Sequence, residues 1–66
     1  MDKKFTENLK EIRKLSSYTQ KEVALRLNVV ESCYANWEQG RTEPNIENLR
    51  KLGEIFQVSI DELING

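Results

Sequence analysis

The run from Thr19 to Pro44, TQKEVALRLNVVESCYANWEQGRTEP, constrains the fold of this chain more than any other segment. Thr19 and Glu22 have the spacing of a capping box, in which a hydroxyl and a carboxylate satisfy free amides at a helix start. A helix is therefore expected to begin there. Small and apolar residues then recur at three- and four-residue intervals and share one face: Val23, Ala24 and Leu27.

A sharp turn and a second short helix are predicted next. Asn28 tolerates a left-handed backbone, so residues 27–29 can turn without a glycine. The second helix is predicted over residues 31–39, with Tyr34 and Trp37 on its buried side and Gly40 as its stop. Two short helices joined by a three-residue turn form a helix-turn-helix, whose best-attested use places the second helix in the major groove of DNA.

Three further helices are predicted from apolar spacing and caps. The first spans roughly residues 4–15, with a stripe formed by Phe5, Leu9, Ile12 and, as a further candidate, Leu15. The fourth follows a cap at Asn45 and is predicted to bury Ile46, Leu49, Leu52 and Phe56. Gly53 inside it indicates either close helix packing at that point or simple tolerance. A second capping box, Ser59 with Glu62, starts a short fifth helix that carries Ile60, Leu63 and Ile64.

Four segments follow one another in the order and spacing of a known family: LKEIRK, TQKEVALRL, YANWEQGRTEP and IENLRKLGEIFQVSIDELI. From Leu9 to Ile64 the sequence resembles the Xre family, or Cro/repressor type, of helix-turn-helix DNA-binding domains. The resemblance implies an all-α fold, a compact five-helix lambda-repressor-like domain. Three residues depart from the common pattern, and they bear on the DNA target rather than on the fold: Asn28 for glycine, Val30 for a Ser or Thr cap, and Glu31 for Arg or Gln.

Length and composition favour one small domain over residues 1–66, because a chain of 66 residues cannot support two cores. The short apolar runs exclude a membrane-spanning helix, and no targeting segment is visible, so a cytoplasmic protein is expected. One cysteine and no histidine predict no metal site or cofactor. With no Gly-rich phosphate loop, no plausible catalytic dyad and little volume for a pocket, neither an enzyme nor a small-molecule ligand is expected.

Net charge argues mildly against a nucleic-acid partner, since it is −1 with a pI near 5.4. The uneven distribution of charge along the chain weakens this argument against nucleic-acid binding. Residues 1–26 carry seven basic and four acidic side chains, whereas residues 27–66 carry three and seven. A basic strip around the second helix of the motif remains compatible with these numbers, but nonspecific affinity is expected to be modest.

Candidate base contacts lie at the start and on the free face of the second helix: Val30, Glu31, Ser32 and Asn36. Asn36 can pair with adenine through two hydrogen bonds, and Ser32 lies about one turn away on the same face. Glu31 has two interpretations. It can accept a hydrogen bond from cytosine N4, or it is a solvated acid that the helix dipole stabilises.

Candidate phosphate contacts are Gln20, Lys21, Arg41 and Thr42. The resemblance implies this role for Gln20 and for the loop after the second helix, and the alternative for each is a solvated surface residue. The resemblance also implies a partly buried salt bridge between Arg13 and Glu38, against two separate surface charges.

Two further side chains of the second helix have specific expectations. Cys33 is expected to be a semi-buried structural thiol. The hydroxyl of a buried Tyr34 needs solvent or a partner, for which a phosphate is one candidate.

Together these patterns predict a transcriptional regulator, of the repressor kind, that binds double-stranded operator DNA. One recognition helix covers about half a site, which favours a homodimer on a palindromic site. Ile60, Leu63 and Ile64 are candidates for the dimer interface or for the monomer core. The alternative function is a helix-turn-helix scaffold that contacts only proteins, as an antitoxin or regulatory partner, with its acidic second half.

Overall fold

The computed structural model describes residues 3–66 and contains five α-helices. They are α1 (Lys3–Leu15), α2 (Gln20–Leu27), α3 (Glu31–Gln39), α4 (Ile46–Phe56) and α5 (Ile60–Asn65). The predicted all-α, five-helix fold is confirmed, although residues 1 and 2 of the predicted domain lie outside the described residues. Helix α1 packs against α3 and α5, and α2 packs against α3 and α4.

Side-chain caps start three of these helices. Thr19 Oγ1 accepts from the Glu22 amide at 3.0 Å, and Glu22 Oε1 accepts from the Thr19 amide at 2.8 Å. Ser59 and Glu62 make the same reciprocal pair at the start of α5. The side chain of Asn45 caps α4. Both predicted capping boxes and the predicted cap are therefore confirmed, and each helix start is set by residues within three positions of it.

Left-handed residues end both helices of the helix-turn-helix. Asn28 has φ 60°, and its amide donates to the carbonyls of Ala24 and Leu25. Gly40 has φ 76° and closes α3 in the same way. The predicted left-handed backbone at Asn28 and the predicted stop at Gly40 are both confirmed. The turn between α2 and α3 consists of residues 28–30, one position after the predicted 27–29.

The core contains eleven buried hydrophobic residues drawn from all five helices: Phe5, Leu9, Val23, Ala24, Leu27, Tyr34, Trp37, Leu49, Leu52, Phe56 and Leu63. Two predicted members are exposed instead, Leu15 at 78% and Ile46 at 61%. Each is the terminal residue of its helix and lies roughly 90° from the middle of the buried stripe, at about 100° per residue. Both therefore lie at the margin of the apolar stripe and not in its centre.

Helix α5 closes the core. Leu63 is fully buried, Ile64 packs partly buried against the core, and Ile60 is half-buried. Leu63 therefore belongs to the core of the monomer and is not available to a dimer interface, whereas Ile60 and Ile64 are each only half-buried.

Gly53 marks a close approach of two backbone segments. A Cβ atom placed there would lie 2.9 Å from the carbonyl oxygen of Val58. The Val58 amide also donates to the Gly53 carbonyl at 3.0 Å, so the chain folds tightly back over this position as α4 ends. The close approach is to the segment that follows α4 and not to another helix, so it differs from the predicted close helix packing.

Across residues 3–66, every helix is too short or too polar to cross a bilayer.

Candidate nucleic-acid interface

The inner face of α3 is fixed in the core by two aromatic rings. Tyr34 is fully buried and Trp37 is 3% exposed. Their ring centroids lie 5.8 Å apart with an interplanar angle of 71°, an edge-to-face arrangement that aromatic pairs favour. The predicted burial of both residues is confirmed. The helix therefore has one orientation relative to the rest of the domain, and the opposite face is presented outward.

The outer face of α3 carries short polar side chains. Glu31 and Ser32 are exposed, and Asn36 is half-buried. None of these three side chains makes a hydrogen bond or ion pair within residues 3–66. Their polar atoms are therefore available to a partner. Cys33 is a half-buried free thiol, as predicted.

The start of α3 differs from the starts of α2, α4 and α5. Its N-cap is Val30, which has the extended backbone of a cap but no side chain able to accept a hydrogen bond. The isopropyl group is 69% exposed. A Ser, Thr or Asp at an N-cap typically stabilises a helix by about 1 kcal/mol. Val30 therefore makes no capping hydrogen bond, and its apolar isopropyl group is exposed to solvent at the N-terminal end of α3.

The carboxylate of Glu38 links α1, α2 and α3. Arg13 donates to it through Nε at 2.6 Å and through Nη2 at 3.2 Å. Tyr34 Oη donates at 2.5 Å and Gln20 Nε2 at 3.0 Å. The predicted salt bridge between Arg13 and Glu38 is confirmed, with Glu38 only 3% exposed. Arg13 also donates through Nη1 to the carbonyl of Tyr18 at 3.0 Å, so its guanidinium is held at both sides.

Opposing effects act on the ionisation of this cluster. Burial by itself raises the pKa of the Glu38 carboxyl, but the hydrogen bonds from Arg13, Tyr34 and Gln20 outweigh burial and lower the pKa below its usual value. Burial and the hydrogen bond to Glu38 raise the pKa of Tyr34. The hydrogen bond to Glu38 raises the pKa of Arg13. Glu38 is therefore a carboxylate and Tyr34 a neutral phenol at neutral pH.

The four candidate phosphate contacts have different surroundings. Gln20 is the first residue of α2, is half-buried, and is joined to α3 through Glu38. Lys21 is exposed next to it. Arg41 and Thr42 are exposed in the loop that follows Gly40. The side chains of Lys21, Arg41 and Thr42 make no hydrogen bond within the described part of the chain.

Sequence reasoning missed two members of the Glu38 cluster. Tyr34 and Glu38 are four residues apart on one helix, a spacing that brings side chains together and that could have indicated their bond. The acceptor of the Tyr34 hydroxyl is therefore Glu38, and the buried ring does not reach a phosphate. Gln20 is 18 positions from Glu38, and no local pattern connects them.

A cation–π contact next to the helix-turn-helix is also not predictable from local sequence spacing. The guanidinium carbon of Arg26 lies 4.5 Å from the ring centroid of Tyr18, whose ring in turn lies 6.2 Å from that of Phe56. This cation–π contact ties the outer side of α2 to the link after α1.

The bundle and its short α2–turn–α3 unit define a helix-turn-helix domain. A helix-turn-helix family model matches residues 9–63, and the chain belongs to that family, which confirms the Xre-type resemblance. The chain is 37% identical over 62 residues to the HTH-type transcriptional activator BcrR of Enterococcus faecalis, with 94% of this chain and 30% of that protein covered.

Two further relatives agree with this assignment. The HTH-type transcriptional regulator ImmR of Bacillus subtilis is 39% identical over 56 residues, which cover 85% of this chain and 44% of ImmR. The crystal structure of a transcriptional regulator from Listeria innocua superposes with a TM-score of 0.86 at 37% identity, covering 94% of this chain and 58% of that one. The chain spans less than half the length of BcrR and of ImmR.

Proposed function

We propose that this chain binds double-stranded DNA sequence-specifically and acts as a transcriptional regulator, with α3 in the major groove. The observation that carries the proposal is the contrast between the faces of α3. Its inner face is fixed by Tyr34, Trp37 and Glu38, while the polar groups on its outer face have no partner within residues 3–66. A rigid helix with free polar groups suits base readout. The names of the relatives, which are transcriptional regulators, support the same function.

Base contacts are proposed for four residues at the tip and outer face of α3. Asn36 can pair with adenine N6 and N7, and Ser32 can donate to or accept from a base edge. Glu31 can accept from cytosine N4. The exposed isopropyl group of Val30 suits a thymine methyl, which would account for an apolar group at a position where a capping side chain would stabilise the helix.

Phosphate contacts are proposed for Gln20 and Lys21 at the start of α2 and for Arg41 and Thr42 after α3. These residues lie on both sides of α3 in sequence, and three of them are exposed. Contacts of this kind fix the position of the protein on the duplex without reading sequence. Because the overall charge is −1, we expect specific base contacts to contribute a large share of affinity.

A homodimer on a palindromic site is proposed as the DNA-bound form, with repression as the outcome and the cytoplasm as the location. One recognition helix covers about half a site, and paired half-sites lie about 34 Å apart in known complexes. Ile60 and Ile64 are half-buried on α5 and are the apolar residues we assign to the interface, because Leu63 is already enclosed in the core.

Selection of bound duplexes from a random pool at moderate salt tests the function. We expect enrichment of a palindromic sequence. On the best duplex, a dimer that neutralises about six phosphates gives a slope near −5 for log K against log salt. Failure to enrich any sequence, together with a slope of zero, would remove DNA binding and leave a scaffold for protein contacts.

A further inference from the structure

We propose that Glu38 is a positioning residue for DNA binding: it holds one amide hydrogen of Gln20 so that the other is presented to a phosphate oxygen. The inference rests on the proposed DNA-binding function and adds a role to a residue that otherwise serves the fold. It starts from the 3.0 Å hydrogen bond between Gln20 Nε2 and Glu38 Oε1.

The chemistry of the two groups fixes the orientation of the amide. An ionised carboxylate only accepts hydrogen bonds, so the NH₂ group of Gln20, and not its carbonyl oxygen, must face Glu38. That NH₂ group has two hydrogens, and Glu38 Oε1 accepts one of them. The second hydrogen has no acceptor within residues 3–66. A phosphate oxygen is an acceptor of the required kind.

The carboxylate is itself immobilised, so it can act as a support. Arg13 donates to both of its oxygens, whereas Tyr34 donates only to Oε2, the oxygen that Gln20 does not contact. Glu38 is 3% exposed, whereas Gln20 is half-buried at the protein surface. Gln20 therefore has a fixed inner partner and an accessible outer side. A side chain that is already held has lost much of the rotamer freedom that binding would otherwise remove.

Electrostatics permits a phosphate beside this cluster. A lone carboxylate would repel a phosphate, but the guanidinium of Arg13 lies 2.6 Å from Glu38 and neutralises it. Lys21, the next residue along α2, is exposed and adds a positive charge. Gln20 also lies at the N-terminal end of α2, where the helix dipole favours an anion.

A double-mutant cycle between positions 20 and 38 tests the inference. Kd is measured on the selected duplex and on a random duplex for wild type, Gln20→Ala, Glu38→Gln and the double variant, with folding of each checked by circular dichroism. We expect Gln20→Ala to weaken both duplexes about ten-fold, because a phosphate contact carries no sequence information. Glu38→Gln should weaken both about three- to ten-fold alone, and less than about two-fold when Gln20 is already absent.

Tyr34→Phe is the matched control, since it removes one donor to Glu38 without touching Gln20. It should change Kd by less than about two-fold. Equal effects of Glu38→Gln in both backgrounds would overturn the positioning role. No effect of Gln20→Ala would overturn the phosphate contact. Wild-type protein that binds no duplex would instead overturn the proposed function, so the two failures are distinct.

Wild-type protein provides a second measurement that does not depend on the folding of the variants. In an NMR titration with duplex DNA, one of the two side-chain amide proton resonances of Gln20 should shift much more than the other, because only the outer hydrogen gains a new acceptor. Two unshifted resonances, or equal shifts that follow a general rearrangement, would overturn the inference.

Discussion

Helix α3 carries two glutamates, one at each end, and their surroundings are opposite. Glu38 is 3% exposed and accepts hydrogen bonds from Arg13, Tyr34 and Gln20. Glu31 is exposed, and its carboxylate has no partner within residues 3–66. The same side chain therefore serves the fold at one end and is free for a ligand at the other.

This difference teaches that residue type alone does not assign a role on a recognition helix. Burying a carboxylate costs several kcal/mol unless hydrogen-bond donors replace the water that it loses. An ion pair made by an exposed carboxylate contributes about 1 kcal/mol or less to stability. Three donors reach Glu38 from three helices, and none reaches Glu31. Substitution of Glu38 should therefore lower the stability of the fold, whereas substitution of Glu31 should leave stability nearly unchanged.

The largest expected effect is at the buried end. Glu38→Ala leaves the Arg13 guanidinium without its partner and should lower the free energy of unfolding by about 3–5 kcal/mol. Adding Arg13→Met should recover part of the loss. Urea denaturation measures both, with Glu31→Ala as the matched control at less than about 1 kcal/mol. Strictly additive effects of the two substitutions would mean that Arg13 and Glu38 do not interact.

The next effect concerns the outer face. Asn36→Ala should leave thermal stability nearly unchanged, since its side chain has no partner within the described residues. It should weaken binding to the selected operator by about 1–3 kcal/mol and relax preference at one base pair per half-site. Competition against single-base operator variants measures this. If the wild-type preference persists at every position, the recognition face is assigned wrongly.

A smaller effect, of opposite sign, is expected at the start of α3. Val30→Ser supplies the missing capping oxygen and should raise the free energy of unfolding by about 1 kcal/mol. It should also abolish the preference for thymine over uracil in the operator, because the apolar contact with the methyl group is lost. Thr19→Ala, which removes an existing cap, is the control and should destabilise by a similar amount. An unchanged melting temperature for Val30→Ser would contradict this account.

The mildest perturbation is acid. The pKa of Glu38 is lower in the folded protein than in the unfolded chain, so its contribution is fully present above the unfolded value, about 4.3. It is lost as pH falls below that value toward the folded pKa. Wild type should therefore lose stability more steeply on acidification than Glu38→Gln. Parallel curves from chemical denaturation at a series of pH values would show that Glu38 is not the titrating group.

The sequence by itself determined the helices and their ends. Capping boxes at Thr19 and Ser59 and left-handed stops at Asn28 and Gly40 depend on neighbours within about five positions, so their patterns are visible in one dimension. The inward face of α3 followed from the three-residue spacing of Tyr34 and Trp37. The salt bridge between Arg13 and Glu38 was predicted only from the family resemblance.

Only the tertiary structure decided which distant groups meet. Gln20 reaches Glu38 across 18 positions, and no periodicity encodes that contact. Leu15 and Ile46 lie at the margin of the apolar stripe of their helices, where spacing alone does not decide burial, and they are exposed, whereas Leu63 is fully buried. Burial depends on what other helices place against a residue, and spacing within one helix carries no information about that packing.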